Sequence, residues 1–245
     1  MKTLAVTIQK GGTGKTTTAA ALAQAAAYRG QKVLAVDLDP QGNFSFALAA
    51  DQSKPGAVEF LQGAPAAQTI QTTPQGIDII AAGRDLAALT STKGSARRLQ
   101  KALQMIQADY DIAIIDTPTK AGELQYNALQ AATQILIPLQ ADIYNMQSFF
   151  QTVDTVRAFM ESNPGLSIAG ILFTRYKSRI TIVKQMRATI EQYAANLNIA
   201  CVGAIREGIA VQEAAFLQQS LFTYAPRANP SQDYLKVYDA LIAQE

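Results

Sequence analysis

Lys10-Gly11-Gly12-Thr13-Gly14-Lys15-Thr16-Thr17 is the run whose residue types and spacing suit chemistry on an anion. Glycines let the backbone turn until successive N–H groups point inward, and such a nest binds phosphate oxygens. A lysine after the last glycine reaches β- and γ-phosphates, and a hydroxyl beside it ligates Mg²⁺. Lys15 and Thr16 stand at those two positions. The arrangement needs a strand before the loop and a helix after it, because the helix N-terminus adds partial positive charge to the nest. Leu4–Ile8 is short, apolar and partly β-branched, which predicts a buried strand. Thr18–Tyr28 is rich in strong helix formers and is closed by Gly30, which predicts the helix.

Acids at strand ends complete such a site, since open parallel sheets bind ligands at the C-terminal edge of their strands. Asp116 follows Ile112-Ala113-Ile114-Ile115, the pattern in which a carboxylate holds Mg²⁺, often through water. A second apolar run ends at Val36 and leads into Asp37-Leu38-Asp39-Pro40-Gln41-Gly42.

The usual loop pattern, G-x-x-x-x-G-K-[ST], asks for glycine where this chain has Gln9, and Lys10 is an additional lysine. The form K-G-G-x-G-K-[ST], taken with Asp37–Gly42 and Asp116–Pro118, resembles the ParA/MinD family of ATPases, and within it the ParA-type partition ATPases most. The resemblance extends over nearly the whole chain, through Phe173-Thr174-Arg175 and Ala204-Ile205-Arg206 with Glu213-Ala214 downstream. It implies ATP and Mg²⁺ as cofactors. Lys10, Gly11, Gly12, Thr13, Gly14, Lys15, Thr16 and Thr17 would surround the phosphates, and Thr16, Asp37 and Asp116 the metal. Asp39 would position the attacking water. Lys10, Lys15 and Asp39 form the implied catalytic set, because the family's first lysine crosses a dimer interface to the partner's nucleotide. A cation supplied in trans stabilises charge on the transferring phosphoryl group, so hydrolysis would need an ATP-dependent sandwich homodimer. Phe173, Arg175, Ile205 and Arg206 mark the neighbourhoods that contact adenine in relatives. No N-K-x-D sequence occurs, which favours ATP over GTP. One departure stands out: many relatives have a second proline after Pro118, and this chain has Thr119-Lys120.

Composition narrows the chemistry further. The 245 residues, 49% of them hydrophobic, predict one domain spanning 1–245 with ample core. Histidine is absent, which removes His-based acid–base chemistry and His-rich metal sites. Cys201 is the single cysteine, so no internal disulfide forms, and its apolar surroundings predict a buried structural thiol in a reducing cytoplasm. The cluster cysteines of the nitrogenase iron protein, another branch of the family, are missing. No apolar run is long enough for a membrane span, and the chain enters its first strand at once, so neither a leader nor a DNA-reading helix-turn-helix extension is expected.

The net charge of +2 is small, but its distribution is uneven. From Gly170 to Lys236 there are eight basic residues and four acids. Arg175, Lys177, Arg179, Lys184 and Arg187 cluster, with Arg206 and Arg227 later. In ParA-type relatives, basic residues in matching regions bind DNA without sequence preference once the dimer forms. Phosphate neutralisation accounts for such binding, and two subunits double the patch. The resemblance therefore implies nucleoid-associated protein in the cytoplasm, discharged by a ParB-like or other cargo adaptor that stimulates hydrolysis. Two other readings are weighed against it. A MinD-like membrane ATPase ends in a basic amphipathic helix, whereas Asp233–Glu245 carries one lysine against three acids. A metabolic synthetase of similar fold lacks the use that Lys10 and Asp37–Gly42 imply.

Alternating strand-like and helix-like runs predict a doubly wound α/β fold, a mainly parallel sheet with helices on both faces. Strands are expected at 32–36, 77–80, 111–115, 134–138, 166–173 and 199–205. Helices are expected near 84–89, 97–107, 122–132, 146–161, 180–195, 211–218 and 232–243. Residues 51–76, rich in proline and glycine, read as loops around one short helix at 58–61.

Overall fold

The computed structural model describes residues 1–83, 85–89 and 95–242. An eight-stranded sheet runs through its centre. In chain order its strands are β1 (Lys2–Val6), β2 (Val33–Asp37), β3 (Gln71–Thr72), β4 (Asp78–Ile80), β5 (Ile112–Asp116), β6 (Gln134–Leu139), β7 (Ser167–Tyr176) and β8 (Cys201–Arg206). Their spatial order is β3-β4-β2-β5-β1-β6-β7-β8, and only the two-residue edge strand β3 is antiparallel. Strand order reverses at β1, which puts the loop after β1 at the switch point where doubly wound sheets bind ligands.

The helices are α1 (Lys15–Tyr28), α2 (Asn43–Ala47), α3 (Ala57–Leu61), α4 (Ala66–Thr69), α5 (Arg98–Ile106), α6 (Glu123–Ala131), α7 (Tyr144–Met160), α8 (Thr181–Asn196), α9 (Ala210–Phe216), α10 (Leu221–Tyr224) and α11 (Asn229–Ile242). The central strands are apolar on both sides because both sides are covered. Leu34, Val36, Ala113 and Ile115 face a core shared with α5, α6 and α7, while Val33, Ala35, Ile112 and Ile114 face one shared with α1 and α11. Small alanines let α1 lie close against the sheet, with ten of its fourteen residues buried.

Most expected elements form within a residue or three of their predicted limits. The first strand is earlier than expected, since Thr7 and Ile8 leave the sheet while staying fully buried. Residues 51–76 hold two short helices and β3 rather than one helix, and α2 and α10 were not anticipated. These pieces are four or five residues long or shorter, too short to show a periodicity, and tertiary packing stabilises them. The expected helix at 84–89 is a single 3₁₀ turn, Leu86–Ala88, and Arg84 lies outside the described residues, as does Ala243 at the end of the last expected helix.

Candidate nucleotide site

The loop after β1 is anchored from three sides. Gln9, in place of the usual glycine, donates its backbone N–H to Thr152 Oγ1 at 3.1 Å and its Nε2 to Thr155 Oγ1 at 2.9 Å, both on α7. Thr117 Oγ1 donates to the Val6 carbonyl at 2.9 Å, and Gln125 Nε2 to Thr7 Oγ1 at 3.1 Å. From the other flank, Thr174 Oγ1 on β7 donates to the Thr13 carbonyl at 2.7 Å. Gly12 and Gly14 hold φ of 75° and 89°. A side chain there costs about 1–2 kcal/mol for the left-handed backbone alone. At Gly14 an added Cβ would also lie 3.3 Å from Thr174.

Lys15, 6% exposed, begins α1 at the centre of this loop. Its ammonium donates to the Lys10 carbonyl at 2.9 Å and to Thr119 Oγ1 at 3.2 Å. Burial pushes its pKa below the ordinary lysine value, against the opposite pull of Asp116 and Asp39. Thr16 Oγ1 donates to Asp116 Oδ2 at 2.6 Å. Asp37 and Asp116 are register partners on adjacent parallel strands, and both are fully buried. Asp37 accepts from Ser45 Oγ at 2.7 Å, Ser45 N at 2.8 Å and Asp39 N at 3.1 Å. Burial raises its pKa to about 6 despite those donors. Burial, and then the neighbouring Asp37, push Asp116 well above the carboxylate range.

Two buried carboxylates side by side, with one buried ammonium nearby, leave an excess of negative potential that a divalent cation relieves. The donor set therefore fits Mg²⁺: the Thr16 hydroxyl is directly available and Asp116 is 2.6 Å behind it. Among the described residues no group of three or more His, Cys, Asp or Glu is arranged to hold a metal unaided.

Asp39 is half-buried, and its Oδ1 accepts from Gln41 N at 3.0 Å. It opens onto a groove of about 530 Å³, whose opposite wall includes Pro118, Thr119 and Lys120. Lys10 sits on the same edge. Its Nζ lies 3.9 Å from Asp142 Oδ1 and 5.9 Å from the centroid of the Tyr144 ring, which is 80% exposed. Beyond Thr17, a cleft between β7, β8, α9 and α11 is lined by Arg175, Ile205, Arg206 and Tyr234 among others.

The structure thus brings together the phosphate loop, Asp37, Asp39 and Asp116, and three of the four adenine-region residues. Phe173 is the exception. Strand alternation turns Thr174 toward the loop and Phe173 into the opposite core, fully buried. The basic cluster divides. Arg179, Lys184 and Arg227 are exposed, and so is Arg175, which takes a left-handed φ of 48°. Lys177 pairs with Glu207 at 3.3 Å on the surface. Arg187 stacks between Phe173 and Tyr176, 5.4 and 5.0 Å from their centroids, and holds Glu191. Arg206 is gripped at both ends of its guanidinium by Asp233. Cys201, expected to be buried, is half-buried, because its strand lies at the sheet edge, and burial still pushes its thiol up to about 11.

Sequence reasoning did not single out Ser45, Thr152 or Tyr234. Ser45 reaches Asp37 only because α2 starts immediately after the acidic turn. Thr152 reaches Gln9 across 143 residues of chain. Tyr234 lines the cleft because α11 packs on α1. No local spacing announces such partners.

A family model described as an AAA domain matches residues 1–168. The sporulation initiation inhibitor protein Soj of Bacillus subtilis is 32% identical over 243 residues, covering 96% of this chain and 95% of that protein. The chromosome partitioning protein ParA of Caulobacter vibrioides is 32% identical, covering 100% and 95%. Among solved structures, cobyrinic acid a,c-diamide synthase of Mycobacterium smegmatis, with bound ATP analogue and magnesium, superposes with a TM-score of 0.81 at 30% identity, covering 99% of this chain and 94% of that one.

Proposed function

The chain belongs to the ParA/MinD family of P-loop ATPases, and we propose that within it this protein is a ParA-type positioning ATPase. It binds ATP with Mg²⁺, closes into a sandwich homodimer and coats DNA without sequence preference. A cargo-bound protein, ParB-like or another adaptor, then stimulates hydrolysis and releases it. The cargo is a plasmid, a chromosome region or a protein assembly. The protein works in the cytoplasm, on the nucleoid.

The observation that carries this reading is the convergence, at one edge of the sheet, of a buried Lys15, the Thr16–Asp116 contact and a half-buried Lys10 beside Asp142 and the exposed Tyr144. Phosphoryl transfer to water asks for positioning and charge neutralisation more than for a strong base. The loop N–H groups and Lys15 hold the β- and γ-phosphates. Mg²⁺, when bound beside Thr16 with Asp37 and Asp116 behind it, neutralises phosphate charge. Asp39 orients the attacking water. Lys10 of each subunit serves the other's nucleotide, so hydrolysis depends on dimerisation. Arg175, Arg179, Lys184 and Arg227, all exposed, supply the DNA-facing charge.

A lipid-binding role draws no support from the last helix. Tyr234, Val237, Tyr238 and Leu241 of α11 are all spent on the core, and among the described residues no helix is long and apolar enough to cross a membrane. A second reading, a synthetase that uses ATP on a small substrate, draws on the 30% identity to the mycobacterial synthase. It predicts turnover that requires a small molecule and ignores DNA.

The deciding experiment is sedimentation with non-specific duplex DNA, with ADP and with ATP–Mg²⁺, using Asp39→Ala to block hydrolysis while leaving ATP-dependent dimers. Binding only with ATP, weakening as salt rises, is the expected result. Absence of binding under either nucleotide would remove the DNA-coating role, and normal hydrolysis by Asp39→Ala would remove the water-positioning one.

A further inference from the structure

The Thr119 hydroxyl meets the buried Lys15 ammonium at 3.2 Å. A buried ammonium must have its protons accepted, and here the acceptors are one hydroxyl and the Lys10 carbonyl, at 2.9 Å, both neutral. Anionic phosphate oxygens make roughly twice as strong an acceptor as neutral ones. A nucleotide entering the loop therefore takes Lys15 away from Thr119. Thr119 lies on the connection between β5 and α6, and that connection forms one wall of the groove holding Asp39.

We propose that Thr119 is a positioning residue: its hydroxyl holds Lys15 while the site is free of nucleotide and releases it to the incoming phosphate, so that one hydrogen bond ties residues 117–122 to the state of the site. The inference rests on the reading of Lys15 as the phosphate-binding lysine. Two consequences follow from it. The nucleotide-free chain is held in a state that must be broken before binding, which lowers apparent affinity by the fraction of time Lys15 is latched. The 117–122 connection, in turn, is better ordered without nucleotide than its own packing would make it, since Lys120 and Ala121 are exposed.

The test compares wild type, Thr119→Val and Thr119→Ser. Amide hydrogen exchange is followed across residues 117–124, without nucleotide and with saturating ADP–Mg²⁺, and ADP affinity is measured by calorimetry. Without nucleotide, Thr119→Val should exchange several-fold faster than wild type over this stretch. With ADP the two should coincide. ADP should bind Thr119→Val roughly threefold to tenfold more tightly, the scale of one lost hydrogen bond in the free state. Thr119→Ser, which keeps the hydroxyl, should behave as wild type. Unchanged exchange and affinity in Thr119→Val, weaker ADP binding by it, or a serine variant that behaves like valine would each overturn the proposal. Lys15→Ala separates the two levels. Retained ADP binding there would sink the reading of Lys15 itself, whereas lost binding beside a silent Thr119→Val would sink only the latch.

Discussion

The phosphate loop and the basic rim formed by the end of β7 and the start of α8 lie at the same edge of the sheet, beyond the C-terminal ends of its parallel strands, and are built in opposite ways. The loop is over-determined. Its glycines take left-handed angles, and hydroxyls from α7, β7 and the residue after β5 hold it or its root. The helix that follows has ten of fourteen residues buried. At the rim, α8 is sixteen residues long but buries only Ile190 and Ala194, and Ile180 and Ile182 are exposed beside Arg179 and Lys184. Few buried contacts make such an element among the first to open locally. A site that must place phosphate oxygens to a few tenths of an ångström needs the first construction. A surface whose proposed role is to neutralise DNA phosphates without reading sequence tolerates the second, since charge alone would act there.

That contrast can be broken in order of effect size. Lys15→Ala removes the buried cation of the over-determined region, so nucleotide affinity should fall by roughly tenfold to 150-fold, the scale of a charge-assisted contact of about 1.5–3 kcal/mol. Calorimetry with ADP–Mg²⁺ reads this directly, and retained tight binding would falsify the phosphate-loop assignment.

At the rim, a charge count treats Arg179 and Arg206 alike, but their surroundings differ. Arg179→Glu should weaken ATP-dependent DNA binding several-fold and flatten its salt dependence, with thermal stability unchanged. Arg206→Ala should lower the melting temperature instead, because it strips Asp233, 9% exposed, of the guanidinium and leaves it only the backbone N–H of residue 206. Equal effects of the two on DNA affinity with equal melting temperatures would show that Arg179 and Arg206 are equivalent surface charges.

The smallest effect concerns Cys201. With its thiol pushed up to about 11, roughly one molecule in a thousand carries the thiolate at pH 8, so iodoacetamide should label the folded chain slowly. The sign is fixed by burial: the unfolded thiol ionises near 9, the folded one later, so labelling accelerates on unfolding, and stability declines as pH climbs from 9 toward 11. Labelling at the rate of a free thiol would show that the sheet edge at β8 opens readily.

The order of strands and helices was legible because long elements carry periodicity, and the three specific motifs were legible because phosphate chemistry constrains type and spacing over a few residues. Lys10 through Thr17, Asp37, Asp39 and Asp116 all lie at one edge of the sheet as local pattern implied. Short helices such as α2 and α10 gave no such signal. Nor did long-range partners: Ser45 on Asp37, Thr152 on Gln9 and Thr174 on Thr13 are hydroxyls of ordinary type, and only the fold brings them within hydrogen-bond reach.

The same division governs charge. By itself the sequence determined that cations concentrate in the C-terminal third and that two lysines flank the glycine loop. Only the tertiary structure decided which of them are free, since pairing is a matter of distance in space. Arg206 is held by Asp233, twenty-seven residues onward, Arg187 is folded between two aromatic rings, and Arg179 and Lys184 are left to the solvent. Lys15 in turn meets Thr119, 104 residues away, through a contact that no spacing rule contains.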